Sequence, residues 1–186
     1  MDKDVPTARM RLQQAAVEMF RERGYDRTTA AEIAGRAGVT ERTFFRHFAD
    51  KREVLFDGQA VLSEALTASM ADAPAGMGPL DTLFRAFRSV TGLLERNRPF
   101  AVPRQEVIAA TPALRERELS KLDALADVLA RSLRARGVPD RPALLAAKIG
   151  VAAFAQATLA WLERDTPSLA DRLDRAERDL QGLFRD

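Results

Sequence analysis

Thr-Ala-Ala-Glu-Ile-Ala-Gly-Arg-Ala-Gly-Val-Thr-Glu-Arg-Thr-Phe-Phe-Arg-His-Phe, residues 29–48, reads as two short helices hinged at Gly38. Thr29 with Glu32 forms a capping box: the hydroxyl accepts from a first-turn N–H while the carboxylate reaches back to the cap. Ile33, Ala34 and Ala37 share one face of the first helix. Gly38 takes the left-handed conformation that ends the helix without a Cβ penalty, and Val39 follows as an apolar pin. Thr40 caps the second helix, and Phe44 and Phe48 give it a buried side. That leaves Glu41, Arg42, Thr43, Phe45, Arg46 and His47 on the outward and flanking surfaces. Two short helices so joined are a helix-turn-helix, whose second helix enters the DNA major groove.

Charge and composition agree with that reading. The net charge of the 186 residues is only +2, but residues 1–52 hold 11 Lys and Arg against 8 Asp and Glu, a balance of +3. The remaining residues hold 18 against 19, a balance of −1. The excess positive charge accompanies the helix-turn-helix, as a phosphate-facing module requires. A hydrophobic content of 46% supplies a core, and the chain has no cysteine, which excludes disulfides, thiolate zinc sites and cysteine nucleophiles. Met-Asp-Lys-Asp-Val-Pro at the N-terminus is polar and lacks an apolar signal region. The longest uncharged run, residues 149–162, is short and rich in Ala, Gln and Thr for a bilayer span. A cytoplasmic protein with no membrane partner is expected.

Proline and glycine punctuate an all-α chain. A first helix over residues 7–23 carries Leu12, Ala15, Ala16, Met19 and Phe20 on one face and ends at Gly24. A fourth, capped by Asp50, is expected over residues 50–70. Leu80 to Leu94 mark a helix ended before Pro99, and Pro103 starts a short one to Ala110. Further helices follow Pro112, Pro142 and Leu169. The expected domains are a three-helix helix-turn-helix unit over 1–52 and a helical ligand-binding and dimerisation unit over 53–186.

The helix after Pro142 has no charge between Lys148 and Glu163, so one apolar stripe cannot describe it. Ala146, Gly150, Ala153, Ala157 and Ala160 form a small-residue seam where a second copy of the chain is expected to approach. The expected dimer interface is Ala146, Gly150, Ala153 and Ala157 with Leu173 and Leu180 of the last helix. The alternative is a central helix enclosed by its own monomer. Phe84, Phe87, Phe154 and Trp161 suit a core or a pocket equally. Arg88, Thr91, Arg104 and Thr158 are polar residues on or beside apolar helices, and buried polar groups need partners that a ligand can supply. Those eight residues are the expected effector site, with the arginines suited to an anionic group.

Residues 7–56 resemble the N-terminal domain of TetR-type transcriptional regulators: a threonine pair, Ala-Glu-Ile-Ala-x-x-Ala-Gly-Val-Thr, a Thr-aromatic-aromatic-x-His-Phe ending, and Asp50-Lys51-Arg52-Glu53 coincide in order. The resemblance implies a homodimeric repressor that leaves a palindromic operator when a small molecule enters its C-terminal domain. It implies DNA contacts at Thr28, Thr29, Thr40, Thr43, His47 and Lys51. Two positions depart from the pattern: Arg42 stands where a small residue is common, and Phe45 where tyrosine is. Phe45 cannot donate to a phosphate but can pack on deoxyribose or a thymine methyl, while Arg42 can contact guanine. Arg46 reads as a solvated charge. Ala109-Ala-Thr-Pro-Ala-Leu-Arg-Glu-Arg and the following leucine-rich helix are similar to members like the mycofactocin-system regulator, which implies an acyl-CoA or fatty-acid-like effector.

An enzyme is the rival from another class. With no cysteine, one histidine already placed in the helix-turn-helix, and carboxylates on charged faces, no nucleophile and base pair assembles. No catalytic residue, metal or cofactor is expected. A DNA-binding architectural protein without an effector is the other alternative.

Overall fold

The computed structural model describes residues 6–183; the polar residues 1–5 and the last three lie outside the described residues. Among the described residues there are nine α-helices, one 3₁₀ turn and no strand. They are α1 (Ala8–Arg23), α2 (Ala30–Arg36), α3 (Glu41–His47), a 3₁₀ turn (Glu53–Leu55), α4 (Gln59–Ala71), α5 (Pro79–Ser89), α6 (Thr91–Ala110), α7 (Pro112–Ala135), α8 (Asp140–Glu163) and α9 (Leu169–Gly182).

The chain forms two compact units: Met1–Asp57 with Pro99–Glu118, and Gly58–Arg98 with Leu119–Asp186. In place of the expected single cut after residue 52, packing carries the first unit on to Asp57 and adds a distant segment. Its core shows why. Leu12, Ala16 and Phe20 of α1, Ile33 and Ala34 of α2, Phe44 of α3 and Val54 to Phe56 share one apolar cluster with Val107, Ile108 and Leu114. A three-helix domain buries too little on its own, and the end of α6 and start of α7 complete the cover.

Within this unit the expected caps of α2 and α3 form: Thr29 and Glu32 make the reciprocal capping box, and Thr40 accepts from the N–H of Thr43. Thr7 also caps α1, accepting from the N–H of Met10. Gly38 has φ +67°, and the N–H of Val39 donates to the carbonyl of Ala34 at 3.0 Å to close the turn. The expected helix from residue 50 is instead broken. Asp50 accepts from the N–H groups of Arg52 and Glu53 and so caps only the 3₁₀ turn. Asp57 is held by Arg9 and Gln13 of α1, and α4 starts after Gly58.

In the second unit α5 packs between α4, α8 and α9. The helix expected to end before Pro99 stops earlier, at Val90, where Ser89 and Thr91 turn their hydroxyls onto the carbonyls of Ala86 and Arg88. α6 then runs through Pro99 and Pro103. Because the prolines are four apart, only the carbonyls of Glu95 and Pro99 lose a partner, and both residues are exposed to water.

α8 is 24 residues long, starts two residues before the expected Pro142, and by length and composition alone is apolar enough to cross a membrane. One face packs inside the unit: Ala143, Ala147, Gly150, Phe154, Ala157 and Trp161, alternating by four and three, are buried. Part of the expected interface therefore already has neighbours within the chain. A Cβ on Gly150 would lie 3.0 Å from Leu83 Cδ1 and 3.5 Å from a Phe87 ring carbon. The small residues thus admit α5 of the same chain, and Gly150, Ala157 and Leu173 are buried within it while Ala146, Ala153 and Leu180 are half-buried. The side of α8 left to solvent carries Leu144, Leu145, Ala152, Gln156 and Leu159.

Candidate nucleic-acid interface

Phe44, fully buried against α1 and α2, fixes which side of α3 faces outward. At about 100° per residue, the positions opposite Phe44 are Arg42 and Arg46, with Phe45 and Glu41 on one flank and Thr43 on the other. Glu41, Arg42, Phe45 and Arg46 are exposed, Phe45 by 51%. Arg42 and Arg46 make no hydrogen bond or ion pair with any described residue. That distinguishes them from the neighbouring Arg36, which pairs with Glu18 and Glu22, and Arg23, which pairs with Glu32.

The other expected DNA-contact residues have local partners. The Thr29 hydroxyl lies 2.9 Å from a Glu32 carboxylate oxygen and accepts from the Glu32 N–H. The Thr29 N–H, donating to that carboxylate at 2.9 Å, and then the hydroxyl hold the Glu32 carboxyl below the usual range. The hydroxyls of Thr40 and Thr43 lie 3.0 Å apart. Thr28 is fully buried and donates to the carbonyl of Gly24 at 3.0 Å. Lys51 Nζ donates to the carbonyls of Tyr25 at 2.9 Å and Thr28 at 3.1 Å, and sits 4.1 Å from the Tyr25 ring centroid. Thr28 and Lys51 therefore fasten the loop that leads into the Thr29 cap. His47 Nε2 is shielded and has no hydrogen-bond partner among the described residues.

The expected effector residues divide between the units. Phe84 and Phe87 meet edge to face at 5.7 Å, and Phe87 stacks on Phe154 at 4.6 Å. All three are buried, and Trp161 is 4% exposed. Arg88 is neutralised by Asp174 at 2.6 Å and by Glu177, and the Thr91 hydroxyl donates to the Arg88 carbonyl. Arg104 belongs to the first unit: it donates to the carbonyl of Leu55, lies over the Phe56 ring and stands 3.6 Å from Glu118. Burial lowers its pKa, which Glu118 opposes.

Thr158 Oγ1 and Arg98 Nε are buried polar atoms of the second unit without a hydrogen-bond partner among the described residues. Arg98 also lies 5.3 Å over the Trp161 ring and donates to the carbonyls of Trp161 and Leu162. Arg98 is not among the expected effector residues, although Val90, Leu94 and Arg98 at spacings of four put a charge on an apolar row.

Residues 12–57 match the family model for bacterial regulatory proteins of the TetR family, and residues 77–185 match the model for the MftR C-terminal domain. The chain is 35% identical over 127 residues to the HTH-type transcriptional regulator TcmR of Streptomyces glaucescens, covering 65% of this chain and 56% of that one. It spans about half the length of the curated relatives it matches. Among solved structures, the Thermus thermophilus TetR-family repressor FadR, in complex with lauroyl-CoA, is 28% identical with a TM-score of 0.58, over 96% of this chain and 95% of that one. The fatty acid degradation regulator FadR from Bacillus halodurans superposes at a TM-score of 0.65 over 99% of each chain, and at 19% identity shows the shared fold.

Proposed function

The chain belongs to the TetR family of transcriptional regulators, DNA-binding proteins and not enzymes, and from that premise we propose that it is a homodimeric repressor which leaves a palindromic operator when an acyl-type effector binds. The observation that carries the DNA side of this reading is the outer face of α3, where Arg42 and Arg46 have no described protein partner. Two such helices related by a two-fold axis require a palindromic site. Leu145 and Leu159, exposed by 62% and 41% on α8, support a second copy as the cover for that side. The expected place of action is the cytoplasm, where the operator lies.

Two features support the effector. The 28%-identical Thermus repressor holds lauroyl-CoA, and Thr158 Oγ1 and Arg98 Nε are the kind of unpaired buried groups that a polar ligand head satisfies. An effector acts only through different affinities for the DNA-competent and released states, and a hundredfold loss of operator affinity corresponds to about 2.7 kcal/mol of coupling. The test adds lauroyl-CoA and lauric acid separately to the full-length chain on a duplex enriched from a random library. Release from DNA together with a change in the fluorescence of Trp161 is expected. A chain that binds the duplex equally with and without either compound is a regulator without such an effector.

A further inference from the structure

We propose that the operator half-site contains a guanine and a thymine within two base pairs of each other, the guanine read by Arg42 and the thymine by Phe45 through its 5-methyl group. The proposal rests on the DNA-binding reading above and deepens it from a surface to a base preference. Arg42 lies in the first turn of α3, where a cation opposes the helix dipole, so its presence does not serve the helix. It is exposed and makes no bond to any described residue, leaving the guanidinium fork free for the O6 and N7 acceptors that guanine presents in the major groove.

Phe45 stands three residues on, 51% exposed, with its ring held edge to face on Phe44 at 5.4 Å. Such contact fixes the ring and leaves the rest of it outward. A phenyl group donates nothing to a phosphate, and thymine offers the one apolar substituent among the base edges of the major groove. Glu41, one turn before Phe45 on the same flank, is exposed and would repel a phosphate. That flank therefore faces base edges and not the backbone. Arg42 and Phe45 are separated by about 4.5 Å along the helix axis, against about 3.4 Å for one base step, which sets the two-base-pair limit.

The experiment enriches duplexes from a random library with the full-length chain, then measures affinity at one salt concentration for single base analogues of the enriched site. Replacing the read guanine by 7-deazaguanine removes N7, one of the two acceptors of the fork, and is expected to weaken the wild-type chain by roughly 2- to 12-fold, half the free energy of a bidentate pair. Arg42→Ala should be indifferent to that change. Replacing the read thymine by uracil removes only a methyl group and should cost about fourfold, with 5-methylcytosine paired to guanine recovering more affinity than cytosine does. Phe45→Ala should be indifferent to the methyl, and Arg46→Ala should keep both penalties. Enrichment of a site at which both variants keep the wild-type penalties overturns this proposal alone. No enrichment of any sequence overturns the operator reading and this proposal with it.

Discussion

Lys51 shows how a single side chain near a binding surface can have work inside the protein that needs no DNA. Its ammonium is bonded to two carbonyls of the loop that ends at the Thr29 cap, so the charge is spent inside the protein. Hydrogen bonds to charged groups contribute roughly 1.5–3 kcal/mol, and partial exposure reduces that here. Lys51→Met is expected to cost about 1–2 kcal/mol in urea unfolding while leaving the dependence of DNA affinity on salt unchanged. A phosphate contact would instead lower the log–log salt slope by about 0.9. Asp50 is a second local device. The Arg52 guanidinium bonded to it, helped by two backbone N–H groups, holds its carboxyl below the ordinary 3.8. A depressed carboxyl stabilises the fold above its unfolded pKa and loses that contribution as pH falls through the folded value. Thermal unfolding between pH 6 and pH 3 should therefore show Asp50→Asn with a shallower acid decline than the wild type below about pH 4. Thr29, Gly38, Thr40 and Phe44 were legible because their roles depend on neighbours a few residues away. The partners of Lys51 lie 23 and 26 residues distant, and no local pattern announces them.

At the scale of elements, α8 explains what small residues are for in this chain. The Cβ that Gly150 lacks would touch the end of the flexible Leu83 side chain at 3.0 Å. Gly150→Ala should cost at most about 1 kcal/mol, because Leu83 can yield and alanine favours the helix. Gly150→Leu should cost about 1–3 kcal/mol or more by overpacking against Leu83 and Phe87, seen as a lower urea midpoint with no change in oligomeric state. α6 makes the complementary point. Pro99 sits in the helix interior, so Pro99→Ala restores a bond to the Glu95 carbonyl and removes a ring clash. Urea unfolding should show a gain on the order of 1–3 kcal/mol. Gly24, Gly38 and Pro112 mark boundaries where the sequence places them, whereas Pro99 and Pro103 lie inside α6, and the break between α5 and α6 follows hydroxyl bonds at Ser89 and Thr91. That competition between side chain and backbone is weak enough that packing decides it.

For the whole molecule, the proposed second copy covers the solvent side of α8. Leu145→Glu with Leu159→Glu should turn a dimer into a monomer by light scattering, retain helix content in circular dichroism, and abolish tight operator binding. A dimer that survives places the partner elsewhere. By itself the sequence determined the all-α class, the helix-turn-helix with its caps and turn, and the outward position of Arg42, Phe45 and Arg46, because helical periodicity and capping are local and three to four residues long. It also carried the family likeness, which the TetR-family and MftR C-terminal matches support. Only the tertiary structure decided that residues 99–118 complete the first core, that α5 fills the Gly150 seam, and that Arg88 and Lys51 are already paired. Each of those facts depends on which distant surface arrives to cover an apolar face or satisfy a charge, and an amphipathic pattern specifies that a face must be covered without specifying by what.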